Sequence, residues 1–275
     1  MNQRLSRAFL SIAGCAAALS SLPAGAQGVP GQGSWESTLQ ARDANGDGTV
    51  DGYYDTVLQV TWLADANALA GTAFDASESS SATDGRTDWA NATAWAAQLN
   101  VHGITGWRLP TQLDTGLPGC GGEGAWEDFA FSGTDCGFSV LTFQASPRVV
   151  YSEMAHMYYV TLGNLPYCDP TGDCTIGNAS PPDTRMLSNT GPFRNLQSFD
   201  YWGGLVDAEF PDTDAWYFGM GDGLQTPIPM RIESNAWAVA DGDVMAVVPE
   251  PGTWALWLAG LGAMGAVLKC RRPQE

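Results

Sequence analysis

Oxygen-bearing side chains near the start of the chain have the clearest spacing for chemistry. In ARDANGDGTVDGYYD, Asp43, Asn45, Asp47 and Asp51 fall at positions 1, 3, 5 and 9 of a calcium loop. Gly48 stands at position 6, where such a loop must turn sharply, and Thr49 at position 7 offers its backbone carbonyl. Calcium takes about six to eight oxygen ligands, the last two normally from a bidentate Glu at position 12. That position holds Tyr54, and Asp55 follows it. The expected ligand set is therefore Asp43, Asn45, Asp47, Thr49 and Asp51, with Asp55 as the substitute closing carboxylate. The same residues also read as an Asx-rich turn entering a strand.

The remaining chemistry-bearing residues form no familiar catalytic set. The chain has no G-x-S-x-G elbow, no H-E-x-x-H and no phosphate loop. Its two histidines, His102 and His156, have no evident nucleophile beside them in sequence. The expectation is a non-catalytic protein. The alternative is a glycoside hydrolase built on two carboxylates, whose separation a sequence does not display. Of the six cysteines, Cys15 and Cys270 lie in the end segments. Cys120, Cys136, Cys168 and Cys174 remain, an even number suited to an oxidising compartment. Spacing favours the pairs Cys120–Cys136 and Cys168–Cys174, one of the pairings that four cysteines allow. Zinc is the rival use, although the spacings are not the usual ones.

Elements must position these groups. Tyr54 to Trp62 reads as a strand. Residues 73–87 form a Ser/Asp-rich loop, and Asp88 can cap a helix from Trp89 to about Leu99, with Trp89, Ala92, Ala96 and Leu99 as its apolar stripe. Thr111 and Asp114 have capping-box-like spacing, which suggests a short helix there. Residues 120–190 are rich in Gly, Asp and Pro and show no regular period. From Tyr201 to Val247 strand-like patterning returns, with Gly221-Asp222-Gly223 as a turn. The recurring aromatics Trp202, Trp216, Tyr217, Phe218 and Trp237 read mainly as core.

The two ends are addresses. Arg4 and Arg7, an apolar run from Ala8 to about Leu22, and Ala24-Gly25-Ala26 form a secretory signal peptide over residues 1–26, cleaved after Ala26. Ile12-Ala13-Gly14-Cys15 is an alternative lipoprotein site. At the other end, residues 248–275 begin Val248-Pro249-Glu250-Pro251, continue as a short apolar stretch from Thr253 to Leu268 and close with Lys269, Arg271 and Arg272. Basic residues stay on the cytoplasmic side, so this stretch would halt as a transmembrane helix with its tail inside. Between the ends, residues 27–247 suffice for one domain with a core. The net charge is −18, and five of the 12 Lys and Arg lie in the two ends, so the body is more acidic still. Such a surface repels nucleic acid and suits cations or solubility.

Two resemblances follow from these residues. Pro249-Glu250-Pro251, the apolar stretch and Arg271 and Arg272 at the chain terminus resemble the PEP-CTERM sorting signal. That resemblance implies cleavage near the PEP element by a membrane-embedded exosortase, after Sec export and transient insertion in the inner membrane. It also implies a Gram-negative bacterium that makes exopolysaccharide. In the body, DANGDG, VTWLADAN, the Trp-Ala helix, GWRLPT at Gly106–Thr111, YWGGL, AWYF and NAWAVADGDV together resemble the DUF1566 family, also named after the C-terminal domain of the Legionella collagen-like protein. YWGGL departs from the commoner form, and Ala240 stands where an Arg is frequent. The family implies an α+β domain related to the C-type-lectin and formylglycine-generating-enzyme folds. Arg108 itself reads as a structural ion-pair or backbone clamp, because a semi-buried Arg usually serves as a multi-donor clamp. The expected function is an exported cell-surface or matrix protein that binds exopolysaccharide. A matrix-acting hydrolase and a purely structural coat protein are the alternatives.

Overall fold

The computed structural model describes residues 28–75, 83–114, 135–138, 140–168 and 187–245. The signal peptide with Ala24 and Ala26, Cys15, Cys120, Cys174 and the sorting segment with Pro249, Glu250, Pro251, Arg271 and Arg272 lie outside the described residues.

The described body is α+β, with mixed sheets and few helices. One sheet has the order β1 (Leu39–Arg42), β2 (Gly52–Asp55), β3 (Val60–Leu63), β12 (Val239–Asp241), β5 (Trp107–Arg108). A second has the order β10 (Gln225–Pro229), β9 (Asp214–Gly219), β8 (Asp200–Val206), β11 (Ser234–Asn235), β4 (Arg86–Thr87). A small hairpin joins β6 (Phe143–Gln144) to β7 (Val149–Val150). Pairing is antiparallel throughout except between β11 and β8, which run parallel. Helices are short: α1 (Trp35–Thr38), α2 (Trp89–Gln98) and α3 (Glu153–Ala155), the last running into a π-helical stretch His156–Thr161. Among the described residues no helix is long and apolar enough to cross a membrane.

The last strands bind the two sheets together. Trp237 sits between β11 and β12, which belong to different sheets, and is fully buried. Its ring lies 4.6 Å from Trp62 of β3, 4.7 Å from Phe193 and 6.2 Å from Tyr201 of β8. Its indole N–H donates to the Leu63 carbonyl at 2.8 Å, so even its polar edge is satisfied inside. Trp202, Trp216, Tyr217 and Phe218 are likewise buried, as core aromatics should be.

Three local expectations change. The strand over 54–62 is two strands: the Asp55 carboxylate accepts from Val57 N (2.9 Å) and Leu58 N (3.0 Å), which folds residues 56–59 into a turn between β2 and β3. Asp88 caps α2 as expected, accepting from Asn91 N, but Trp95 joins Ala92 and Ala96 on the buried face while Leu99 only borders it. No helix starts at Thr111. Gln112 bridges to Ser152 instead, and Asp114 accepts from Ala208 N and the Trp216 indole. Within 120–190, where sequence shows no period, the structure holds β6, β7, α3 and the π-helical stretch. These elements are too short for a periodic pattern to develop.

Candidate functional site

Two polar constellations stand out, one local and one closed across the fold. The local one is the β1–β2 hairpin loop. Arg42 pairs with Gly52, and Asp51 N donates to Arg42 O at 2.8 Å, so residues 43–50 form the loop proper. Asp43 organises it: its carboxylate accepts from Gly46 N at 2.7 Å, Gly48 N at 2.7 Å and, at 3.3 Å each, from Asn45 N and Asp47 N. Asn45 Oδ1 accepts from Asp47 N at 3.0 Å, and Asp47 Oδ1 from Thr49 N at 2.7 Å. Asp51 Oδ2 ties back to Ala44 N at 2.8 Å. Gly46 and Gly48 both have positive φ, which this path requires of its small residues. The bond from the Asn45 amide and that from Thr49 N hold the Asp47 carboxyl below its ordinary range.

The structure thus brings Asp43, Asn45, Asp47, Thr49 and Asp51 into one loop. It does not bring Asp55 there. Asp55 is fully buried at the far end of β2, opposite Leu39, where it caps the turn to β3. Strand geometry puts it roughly 10 Å or more from the loop, so the substitute closing ligand is lost. In its place comes a residue that sequence reasoning set aside. His102, left-handed at φ 52 and 43% exposed in its side chain, lies 3.3 Å from the Asp51 carboxylate and contacts the Asn45 amide. Among the described residues no three His, Cys, Asp or Glu side chains are grouped to hold a metal ion. The loop offers several oxygens, yet backbone N–H groups already bond to one or both side-chain oxygens of Asp43, Asn45, Asp47 and Asp51.

The second constellation centres on Arg108 of GWRLPT. Its two terminal nitrogens meet the Glu153 carboxylate in a fork, both at 2.8 Å, and Asp241 Oδ1 takes Nε at 3.1 Å and Nη2 at 2.6 Å. Glu153 is 4% exposed in its side chain and also accepts from Thr111 N at 2.7 Å, whereas Asp241 is 80% exposed. Burial works against the Arg108 charge, but the bonds to Glu153 and Asp241 outweigh it and raise its pKa. A planar five-donor fork suits this use, and a lysine could not replace it. Arg108 therefore joins β5, β12 and the start of α3. Glu153 and Asp241 had no sequence signal beyond their acidity.

His156 lies in the core. It is 3% exposed, neither ring nitrogen has a partner, and it stacks edge-on against Phe143 at 5.7 Å. Burial depresses its pKa to about 4. Cys136 and Cys168 are each disulfide-bonded and buried.

No curated protein and no solved structure matches the chain. Residues 247–272 match the PEP-CTERM protein-sorting motif, which marks the chain as an exported, exosortase-processed protein of the cell surface or extracellular space.

Proposed function

We propose that the mature chain is a non-catalytic matrix or cell-surface protein that binds exopolysaccharide. The body would be a C-type-lectin-like domain of the DUF1566 kind, delivered through Sec export and a transient stop in the inner membrane. The observation that carries this reading is the sorting motif at 247–272 on an acidic body. Support within the body comes from the Arg108 fork, where a structural clamp was expected, and from the acidic β8–β9 loop. There Phe210 is 51% exposed, with the exposed Glu209 and Asp212 near it in sequence, an aromatic face and carboxylates of the sort that sugars stack on and bond to. The buried tryptophans contribute no such surface.

The 43–51 loop is proposed to take calcium through Asp43, Asn45, Asp47, the Thr49 carbonyl and Asp51, without Asp55. Carboxylate oxygens have lone pairs beyond those the loop N–H groups use, which supports this assignment. The test is a pull-down of the mature protein on the producing bacterium's own exopolysaccharide, with calcium or with a chelator, while free reducing ends are assayed. Retention without new reducing ends is expected. New reducing ends would establish the hydrolase alternative, and no retention in either condition would leave the purely structural coat protein.

A further inference from the structure

Three segments far apart in sequence pack together without a carboxylate among them. Residues 28–35, 154–168 and 187–199 contain no Asp or Glu, although the chain carries 30. Two buried asparagines join them. Asn189 Oδ1 accepts from Val29 N at 2.8 Å and Gly191 N at 2.9 Å, and its amide donates to Gln32 O at 3.1 Å and Leu162 O at 2.7 Å. Asn164 donates to Asn189 O and accepts from Asn189 N, both at 2.9 Å. Glycine lets the backbones touch: a Cβ on Gly33 would stand 2.3 Å from Thr161 O.

Apolar side chains surface here. Val29, Val160 and Leu165 are exposed, Leu165 by 57%. Ser34 N donates to Val160 O, and the Gln32 amide donates to Gly163 O, between Val160 and Leu165. Gln32 N donates to Val29 O, so Val29 is one turn of chain from the other two. Glu36 stands at the border, its carboxylate bonded to Gly31 N at 2.9 Å.

The way out of the body leads past this patch. Met245 is buried, and its Sδ lies 2.9 Å from where a Cβ on Gly52 would stand. The next residue, Tyr53, donates its hydroxyl to Pro192 O at 3.2 Å, and its ring meets Phe193 at 5.2 Å. Seven residues separate Met245 from the apolar stretch that begins at Thr253. Such a tether reaches about 29 Å at most, whereas a body of about 200 residues is roughly 40 Å across. With that stretch in a bilayer, the Met245 end cannot turn away from the membrane. An uncharged apolar patch is also the part of an acidic body that anionic headgroups repel least.

We infer that the patch of Val29, Val160 and Leu165 rests on the lipid surface while the sorting segment is still attached, and so orients the body until the exosortase cuts. This rests on the inserted stage of the proposed function. Cleavage removes the tether and frees the patch.

The test uses the full-length chain reconstituted in vesicles of phosphatidylethanolamine and phosphatidylglycerol. A photoactivatable benzoylphenylalanine replaces, one at a time, Val160, Leu165, Phe210 or Ile232, all exposed apolar positions. Phe210 and Ile232 adjoin Glu209 and Glu233 in sequence and belong to none of the three segments. After irradiation, mass spectrometry should find lipid adducts from positions 160 and 165 and none from 210 and 232. Val160→Glu should abolish the adducts from position 165, because a carboxylate resists transfer out of water. Near-UV circular dichroism of the buried tryptophans checks that this variant is folded. Equal adducts at all four positions would overturn the inference, as would crosslinks from position 165 to a second copy of the chain in place of lipid. Carbonate extraction separates the two claims. A chain that carbonate removes is not inserted, which defeats the inserted stage and the inference with it. A chain that resists carbonate yet gives no adducts at 160 and 165 defeats the inference alone.

Discussion

The 43–51 hairpin loop and the Arg108 clamp are both polar networks, but they close over very different lengths of chain. Every bond from a loop N–H to a loop side-chain oxygen spans seven residues or fewer. The clamp spans 45 residues to Glu153 and 133 to Asp241. The loop is largely exposed, so each of its bonds replaces one to water and contributes little net. The clamp has one buried carboxylate, and removing its cation strands that charge. Loop order is local and inexpensive, whereas clamp order depends on the whole fold and reports on it.

The sharpest way to break this contrast is Arg108→Gln. It should cost about 3–5 kcal/mol by leaving Glu153 buried and unpaired, read as a fall in urea midpoint at unchanged m-value. A cost near that of a surface substitution would place the clamp with the loop.

Next in size is the acid limb. His156 has its pKa lowered to about 4 in the fold against about 6.5 unfolded. The unfolded chain therefore binds the extra proton, and stability is lost as pH falls from about 6.5 to 4, by about 3 kcal/mol at the low end. His156→Leu should flatten that limb in urea titrations at several pH values. Asp200, raised to about 6 by burial and then by Asp222, acts oppositely, because its contribution to stability is lost as pH rises from about 4 to 6. Asp200→Asn should steepen the acid loss.

Smaller is Asp88→Ala, which removes the α2 cap and should cost about 1 kcal/mol. Smallest is Asn45→Ala in the loop, about 0.5 kcal/mol in chelator. The same substitution should weaken calcium binding by calorimetry several-fold if the loop is a ligand set. A stability loss from Asn45→Ala as large as that from Arg108→Gln would erase the distinction between the two regions.

Legibility follows the same division. The loop at 43–51, the Asp88 cap with its helix, and the Gly221–Gly223 turn were readable because each is made by residues a few positions apart. Asp55 misled because adjacency in sequence is not adjacency in a strand: a few residues of extended chain carry it to the other end of β2. His102 was overlooked for the converse reason, since it reaches the loop from 57 residues away.

By itself the sequence determined the address and the local turns. Sorting signals are short linear patterns, and Asx turns and caps close within a few bonds. Tertiary structure alone decided which carboxylates are buried, which charge meets Arg108, and that three segments without a carboxylate pack together. Those outcomes depend on strand register and on how the two sheets close around Trp237, and contacts between residues so far apart in the chain leave no periodic trace in it.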